Sequence, residues 1–121
     1  MGYKEDIFSV NAKRVIEKRE RVDIPELGKP VFVHLIPIAY KAKLATVEQS
    51  DIIPWVIIYS THDEAGKRIF ADNDFAEVAK LTDFIIDPLF TAAANLNKLS
   101  ATDKELEGNS EANQSDSSSS G

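Results

Sequence analysis

Residues 57–78, IIYSTHDEAGKRIFADNDFAEV, decide how this chain folds. The segment begins with the end of an apolar run and passes into a charged turn, where Gly66 can take a positive φ angle without steric cost. It continues into the acidic run ADND (71–74), whose side-chain oxygens are suited to cap the first turn of a helix. The stretch therefore predicts a tight chain reversal over 61–68, followed at once by a helix.

The segment that precedes this stretch predicts a β-hairpin. Val22 and Ile24 alternate with charged residues, which is the period-two pattern of a strand. A turn rich in proline and glycine occupies residues 25–30, and β-branched and aromatic residues then resume. Two strands are therefore expected, over 20–24 and 31–36.

Helical patterns dominate the remainder of the chain. The first helix is expected near the N-terminus, with Ile7 and Phe8 facing inward. Two prolines leave helix boundaries open: Pro54 lies in a β-branched run that also fits a strand, and Pro88 either begins a new helix or kinks a continuous one. We interpret the run around Pro54 as a helix that begins near Asp51. Helices are expected over 3–10, 38–47, 52–59, 75–81, 84–99 and 100–107.

These elements predict an α+β fold in which an N-terminal β-hairpin packs with three to five of these helices. One domain is expected over residues 1–107. Residues 108–121 are rich in serine and acidic residues and contain no apolar side chain larger than alanine. Such a segment cannot offset the entropy cost of ordering, so we expect a disordered tail or linker there.

Composition narrows the possible functions. The net charge is −6 and the chain has no cysteine. An acidic protein is poorly suited to contact phosphate, and the absence of thiols excludes disulfides and thiolate metal sites. The longest apolar run, Ile52 to Tyr59, is too short to span a bilayer. We therefore expect a soluble cytoplasmic protein that binds neither nucleic acid nor membrane.

The only polar cluster with chemical potential is the segment His62-Asp63-Glu64. A metal site there would need further ligands from elsewhere in the fold, whereas a turn needs only the aspartate and the nearby glycine. No catalytic, cofactor-binding or metal-binding residues are therefore predicted. A small metal-dependent enzyme built on His34, His62 and Asp63 remains an alternative.

The helix expected over 84–99 carries apolar residues around more of its circumference than one buried face requires. Self-association or a helical partner would cover the excess. Trp55, the single tryptophan, is either a core residue or an interface anchor. The candidate partner-binding residues are Trp55, Leu89, Phe90, Ala93 and Leu96.

From residue 20 onward the order of features resembles the tail assembly chaperones of long-tailed, siphovirus-type bacteriophages. Its most specific part is a D-E-x-G-K turn followed by R-I-F and an acidic helix cap, later joined to an L-N-x-L-S ending. Pro54 and Pro88 depart from the uninterrupted helices usual in the family. The segments that carry the resemblance are VDIPELGKPVFVHLIP (22–37), VIIYSTHDEAGKRIF (56–70), ADNDFAEVAKL (71–81) and LFTAAANLNKLS (89–100), followed by the polar tail.

The resemblance implies a non-enzymatic assembly factor of the host-cell cytoplasm that is absent from the mature virion. Its expected partners are the tape-measure protein, which it keeps soluble, and the tail-tube protein. It also implies a homo-oligomer and a frameshift-extended form joined through the polar tail. A generic phage or bacterial protein-interaction adaptor with a different client is the alternative reading.

Overall fold

The computed structural model describes residues 2–99, which form five α-helices and a three-stranded antiparallel sheet. The predicted α+β class is confirmed. The helix expected over 100–107 and the tail from residue 108 lie outside the described residues. The helices are α1 (Tyr3–Lys18), α2 (Ile38–Leu44), α3 (Ile52–Ser60), α4 (Phe75–Val78) and α5 (Asp83–Asn97). The strands are β1 (Glu20–Val22), β2 (Val31–Val33) and β3 (Thr61–His62).

The sheet has β2 at its centre, paired with β1 on one side and β3 on the other. The predicted hairpin is confirmed, with Val22 opposite Val31. The connection between its strands contains a short 3-10 turn, Pro25–Leu27, capped by Gly28, which adopts φ 72° and donates its N–H to the Pro25 carbonyl at 3.1 Å. A residue with a Cβ would be strained at that φ. All three residues of β2 are buried, as expected for a central strand.

The charged turn also forms where it was expected. His62 and Arg68 make an isolated antiparallel bridge, and Asp63 donates its N–H to the Lys67 carbonyl at 2.8 Å. Gly66 sits inside this reversal with φ 90°. The short strand β3 that enters the turn pairs with β2, so the turn is fixed directly to the central strand.

Helix α3 is the centre of the core. Val56, Ile57 and Ile58 are fully buried, and α3 contacts α2, α4 and α5. The second half of α3, residues 56–60, is buried on every side and has no polar face, which is why its sequence fits a strand equally well. Pro54 is its third residue, where the backbone N–H has no partner within the helix and is not missed. The helix expected in this region is therefore confirmed.

Helix α5 is continuous through Pro88, so no new helix begins there. The carbonyl that loses its helical partner belongs to Phe84, which lies on the exposed side where water can replace the bond. The C-terminal end of α5 is joined to the segment after β2 by Asn97. Its Oδ1 accepts the Ile36 N–H at 2.7 Å, and its Nδ2 donates to the carbonyls of Ala93 at 3.0 Å and His34 at 3.4 Å.

Helix α1 differs from the sequence-based expectation in length and in packing. It extends to Lys18 and buries no residue, so the prediction that Ile7 and Phe8 face inward is wrong. These two side chains are 64 % and 66 % exposed. The sequence pattern predicts that these two side chains pack in the core, but α1 does not reach the core. At its C-terminal end the helix is tied to the body by the capping residue Arg19, which donates to the Glu64 carbonyl at 3.0 Å.

No helix within residues 2–99 is both long and apolar enough to cross a bilayer.

Candidate functional site: an apolar groove beside the charged turn

An apolar groove of about 660 Å³ opens between the hairpin, the charged turn and the start of α5. One wall is the loop between β1 and β2, another is formed by the residues on both sides of the charged turn, and α5 forms the remaining wall. Three charged residues, Lys29, Asp63 and Glu64, also border it. We call this feature the apolar groove. Its apolar lining consists of Ile24, Leu27, Pro30, Val31, Ala65, Ile69, Phe70, Leu81, Ile85 and Leu89.

Two large side chains of the groove are open to solvent. Leu27 is 46 % exposed and Ile69 is 41 % exposed. Leu27 is held in this position by the turn that ends at Gly28, and Ile69 by the bond from its N–H to the Thr61 carbonyl at 3.1 Å. Contiguous exposed apolar surface of this kind is typical of a binding site for a protein or a small apolar ligand.

The side chain of Asp63 is used within the turn. Its Oδ1 accepts the Lys67 N–H at 2.9 Å, and its carbonyl accepts the Gly66 N–H at 3.0 Å. This arrangement is an aspartate-stabilised reversal, as the turn reading of the sequence expects. The carboxylate therefore contributes to the shape of the groove rim.

The two histidines come together, but not as a pair of metal ligands. The rings of His34 and His62 stack with their centroids 3.9 Å apart and their planes 7° from parallel. Imidazole lone pairs lie in the ring plane, so two parallel rings direct them side by side instead of toward one ion. His62 uses Nδ1 to donate to the Ser60 carbonyl at 2.9 Å. Within residues 2–99, no three His, Asp or Glu side chains are grouped as a metal site would require. The arrangement gives no support to the metal-enzyme alternative.

Burial suppresses protonation of this histidine pair. Desolvation, the neighbouring His62 and the Arg19 guanidinium lower the pKa of His34 from 6.5 to about 4. Burial likewise lowers the pKa of His62. Nε2 of His34 is buried and has no hydrogen-bond partner among the described residues. Both rings are therefore neutral near pH 7, which allows them to stack without charge repulsion.

Acid is expected to destabilise the protein between about pH 6.5 and pH 4. The unfolded chain takes up a proton on His34 near pH 6.5, whereas the folded protein does so only near pH 4. Because the unfolded state binds more protons in this window, the free energy of unfolding falls as the pH falls, by roughly 2–3 kcal/mol from this residue. Urea unfolding at several pH values measures the effect.

The His34→Phe variant is the control, because it keeps a ring against His62 and removes the titrating group. Its stability should depend less steeply on pH across the same window, while the carboxylates contribute equally in both proteins. Parallel curves for the wild type and the variant would contradict the assignment.

The structure places the predicted partner-binding residues in different surroundings. Leu89 lines the floor of the apolar groove and is nearly buried. Ala93 is 0 % exposed and lies in the core. Phe90 and Leu96 are partly buried and pack against that core. The excess apolar surface expected on α5 is thus largely covered by the rest of the chain.

Trp55 belongs to a row of stacked aromatic rings beside the core. Its ring centroid lies 5.5 Å from that of Tyr59 and 4.9 Å from that of Phe75, and Tyr59 stacks on Tyr40 at 4.4 Å. The Arg68 guanidinium lies 5.5 Å and 5.6 Å from the Tyr40 and Tyr59 rings. These ring contacts favour the interpretation of Trp55 as a core residue over its interpretation as an interface anchor. The row joins α2, α3 and α4.

Sequence reasoning expected excess apolar surface on α5, where most of it is covered, and missed the two exposed residues of the groove. Leu27 lies in a turn and Ile69 follows a charged loop, and neither belongs to a helical or strand period long enough to assign a face. The available signal was that each is a large aliphatic residue in a loop, where polar side chains are usual.

Comparison with protein-family models, with curated proteins and with solved structures finds no match.

Proposed function

We propose that the protein is a bacteriophage tail assembly chaperone that binds apolar helical segments of the tape-measure protein. In this proposal it is non-enzymatic, acts in the host-cell cytoplasm, helps recruit tail-tube subunits and is absent from the mature virion. The order of sequence features from residue 20 onward supports the family, and the apolar groove is the observation that supports the binding role.

The apolar groove has the dimensions and chemistry of a binding site for several apolar side chains. Its volume of about 660 Å³ falls within the range of ligand-binding clefts. An amphipathic helix recognises such a groove with side chains spaced three, four and seven residues apart. A tape-measure protein, as a long and largely helical chain, would present such side chains repeatedly.

The charge of the protein suits a factor that keeps an apolar client in solution. Residues 1–99 carry fifteen acidic and thirteen basic side chains, and residues 100–121 add five acidic and one basic. A complex that covers the client's apolar face and leaves these charges exposed would resist association with further copies. The proposal also includes a frameshift-extended form of the chain. In that form the polar segment after residue 108 would link the added domain to the rest of the protein.

Co-expression with the tape-measure protein tests this proposal. The wild-type protein is expected to raise the soluble fraction of the tape-measure protein, measured after centrifugation. The Leu27→Asp and Ile69→Asp variants should each lose most of this effect, because a charge in the groove removes an apolar contact and costs roughly tenfold or more in affinity. Both positions are partly exposed, so we expect the variants to fold.

The matched control is Ile38→Asp, since Ile38 is 86 % exposed and does not line the groove. Circular dichroism of all three variants confirms that they fold. The proposal fails if the wild-type protein leaves the tape-measure protein insoluble. The assignment to the groove fails if the control loses as much activity as the two groove variants.

A further inference from the structure

We propose that α1 is a self-association surface, on which the α1 helix of a second copy of this chain docks in the antiparallel orientation. This inference rests on the exposed side chains of α1 and does not depend on the identity of any client.

The first observation is an apolar face on α1 that no other part of residues 2–99 covers. Tyr3, Ile7 and Val10 follow the spacing i, i+4, i+7 and lie on one side of the helix, and all three are exposed. The helix is 16 residues long and buries none of them. Helices of this length are marginal in water unless an apolar face is packed, so a partner on this face would stabilise the helix itself.

The second observation is the arrangement of charge on the same face. Asp6 lies toward the N-terminal end of the apolar stretch and Arg14 lies at its C-terminal end. Among the described residues, neither side chain forms an ion pair. The face therefore offers an acid at one end, a base at the other and apolar side chains between them.

This pattern is complementary to itself in one orientation only. In a twofold antiparallel pair, the acidic end of each helix meets the basic end of the other. Arg14 of each copy then lies beside Asp6 and over the Tyr3 ring of the other copy, which adds a cation–π contact. In a parallel pair, Arg14 would face Arg14 and Asp6 would face Asp6, so like charges would oppose the contact.

The same symmetry sets the register. With Tyr3 opposite Arg14, Ile7 falls opposite Val10, and the two apolar contacts occupy the centre of the pair. The helix is about 24 Å long, from its 16 residues and the rise of 1.5 Å per residue. A helix pair of this length buries less area than a standard interface of about 1,600 Å², so we expect a weak dimer.

Sedimentation equilibrium of the full chain, over a concentration range from about 1 µM to about 1 mM, tests the pairing without any client present. The wild-type protein is expected to reach the mass of a dimer within this range. Ile7→Asp should raise the dissociation constant by roughly tenfold or more, because it places an unpaired charge at the centre of the contact. Ile38→Asp, an exposed apolar residue on α2, should leave it unchanged.

Charge reversal tests the orientation. Asp6→Arg and Arg14→Asp should each weaken the dimer, because each creates two like-charge contacts across the twofold axis. The double variant Asp6→Arg/Arg14→Asp should restore it, because it exchanges the two charges and keeps their complementarity. Failure of the double variant to restore dimerisation would overturn the antiparallel arrangement.

The absence of native cysteine allows a direct check. In the proposed register the two Tyr3 positions lie about 16 Å apart along the helix axis, too far for a disulfide. An Ile7→Cys protein mixed with a Val10→Cys protein should cross-link readily, and a Tyr3→Cys protein should not. Efficient cross-linking of Tyr3→Cys would overturn the proposal.

Two further results would also overturn it. One is a wild-type chain that stays monomeric throughout the concentration range. The other is loss of the dimer in Leu27→Asp, which would show that the apolar groove, and not a second α1, covers the helix. The function proposed above would stand in the first case, because client binding in the groove needs no dimer.

Discussion

Replacement of Asn97 by leucine is expected to lower the free energy of unfolding by about 3 kcal/mol. Asn97 is 4 % exposed, and its side chain satisfies the backbone N–H of Ile36 and the carbonyls of Ala93 in α5 and His34 after β2. Leucine has a similar size but no polar atoms, so the buried N–H of Ile36 would lose the partner that the Asn97 side chain provides. An unsatisfied buried donor costs roughly 1–3 kcal/mol, and the lost bonds of the amide add to that cost.

Asn97→Asp separates the two halves of this interaction. The aspartate keeps an acceptor for the Ile36 N–H, but it has no donor for the carbonyls of Ala93 and His34 and brings a negative charge toward them. We expect it to destabilise the protein at least as much as leucine does at pH 7. Asn95 is exposed on the same helix, so Asn95→Leu and Asn95→Asp are the matched controls. Urea unfolding monitored by circular dichroism gives the four values, and equal losses at positions 95 and 97 would contradict the argument.

Replacement of Ala93 by glutamate is expected to unfold the protein. Ala93 is 0 % exposed, and its neighbours in the core are aliphatic and aromatic. A glutamate there is both too large for the space and charged without a partner, and the combined cost is on the order of 5 kcal/mol or more. Domains of this size have only about 5–15 kcal/mol of stability in total, so most molecules should lose their tertiary structure.

Thr91→Glu is the matched control, because Thr91 is exposed two residues earlier on α5. It should leave the far-ultraviolet circular dichroism spectrum and the thermal midpoint close to those of the wild type. A folded Ala93→Glu protein would show that the core around α5 tolerates a charge. Since Ala93 is buried, a loss of oligomers in this variant would report unfolding instead of the loss of a contact surface.

Local patterns were sufficient to predict most of the secondary structure. The alternation of Val22 and Ile24 with charged residues marked β1, and Gly28 and Gly66 marked the two reversals, because each of these features depends on residues close in the chain. Helix α3 was predicted with more difficulty. Residues 56–60 are buried on all sides, and this removes the polar face that normally distinguishes a helix from a strand.

Features that depend on distant contacts could not be predicted in this way. In the sequence, Asn97 stands out only as part of the L-N-x-L-S ending. Its hydrogen bonds could not be predicted, because its partners Ile36 and His34 lie 61 and 63 residues away. The prediction that Ile7 and Phe8 face inward was wrong. An apolar face on a helix indicates that another surface can pack on it, but it does not identify that surface. The groove was missed for a related reason, as it exists only where three segments of the chain meet.

The direct passage of α3 into β3 has a consequence for the speed of client binding. Ser60 ends the helix and Thr61 begins the strand, with no loop between them, and Thr61 lines the groove. The floor of the groove is therefore joined on one side to the most buried helix and on the other to the central strand, so it has no hinge. In the proposed function, a client would meet a surface that is already preorganised, and association would not wait for a slow rearrangement of this protein. Any lag in forming the complex would then come from the client's own folding.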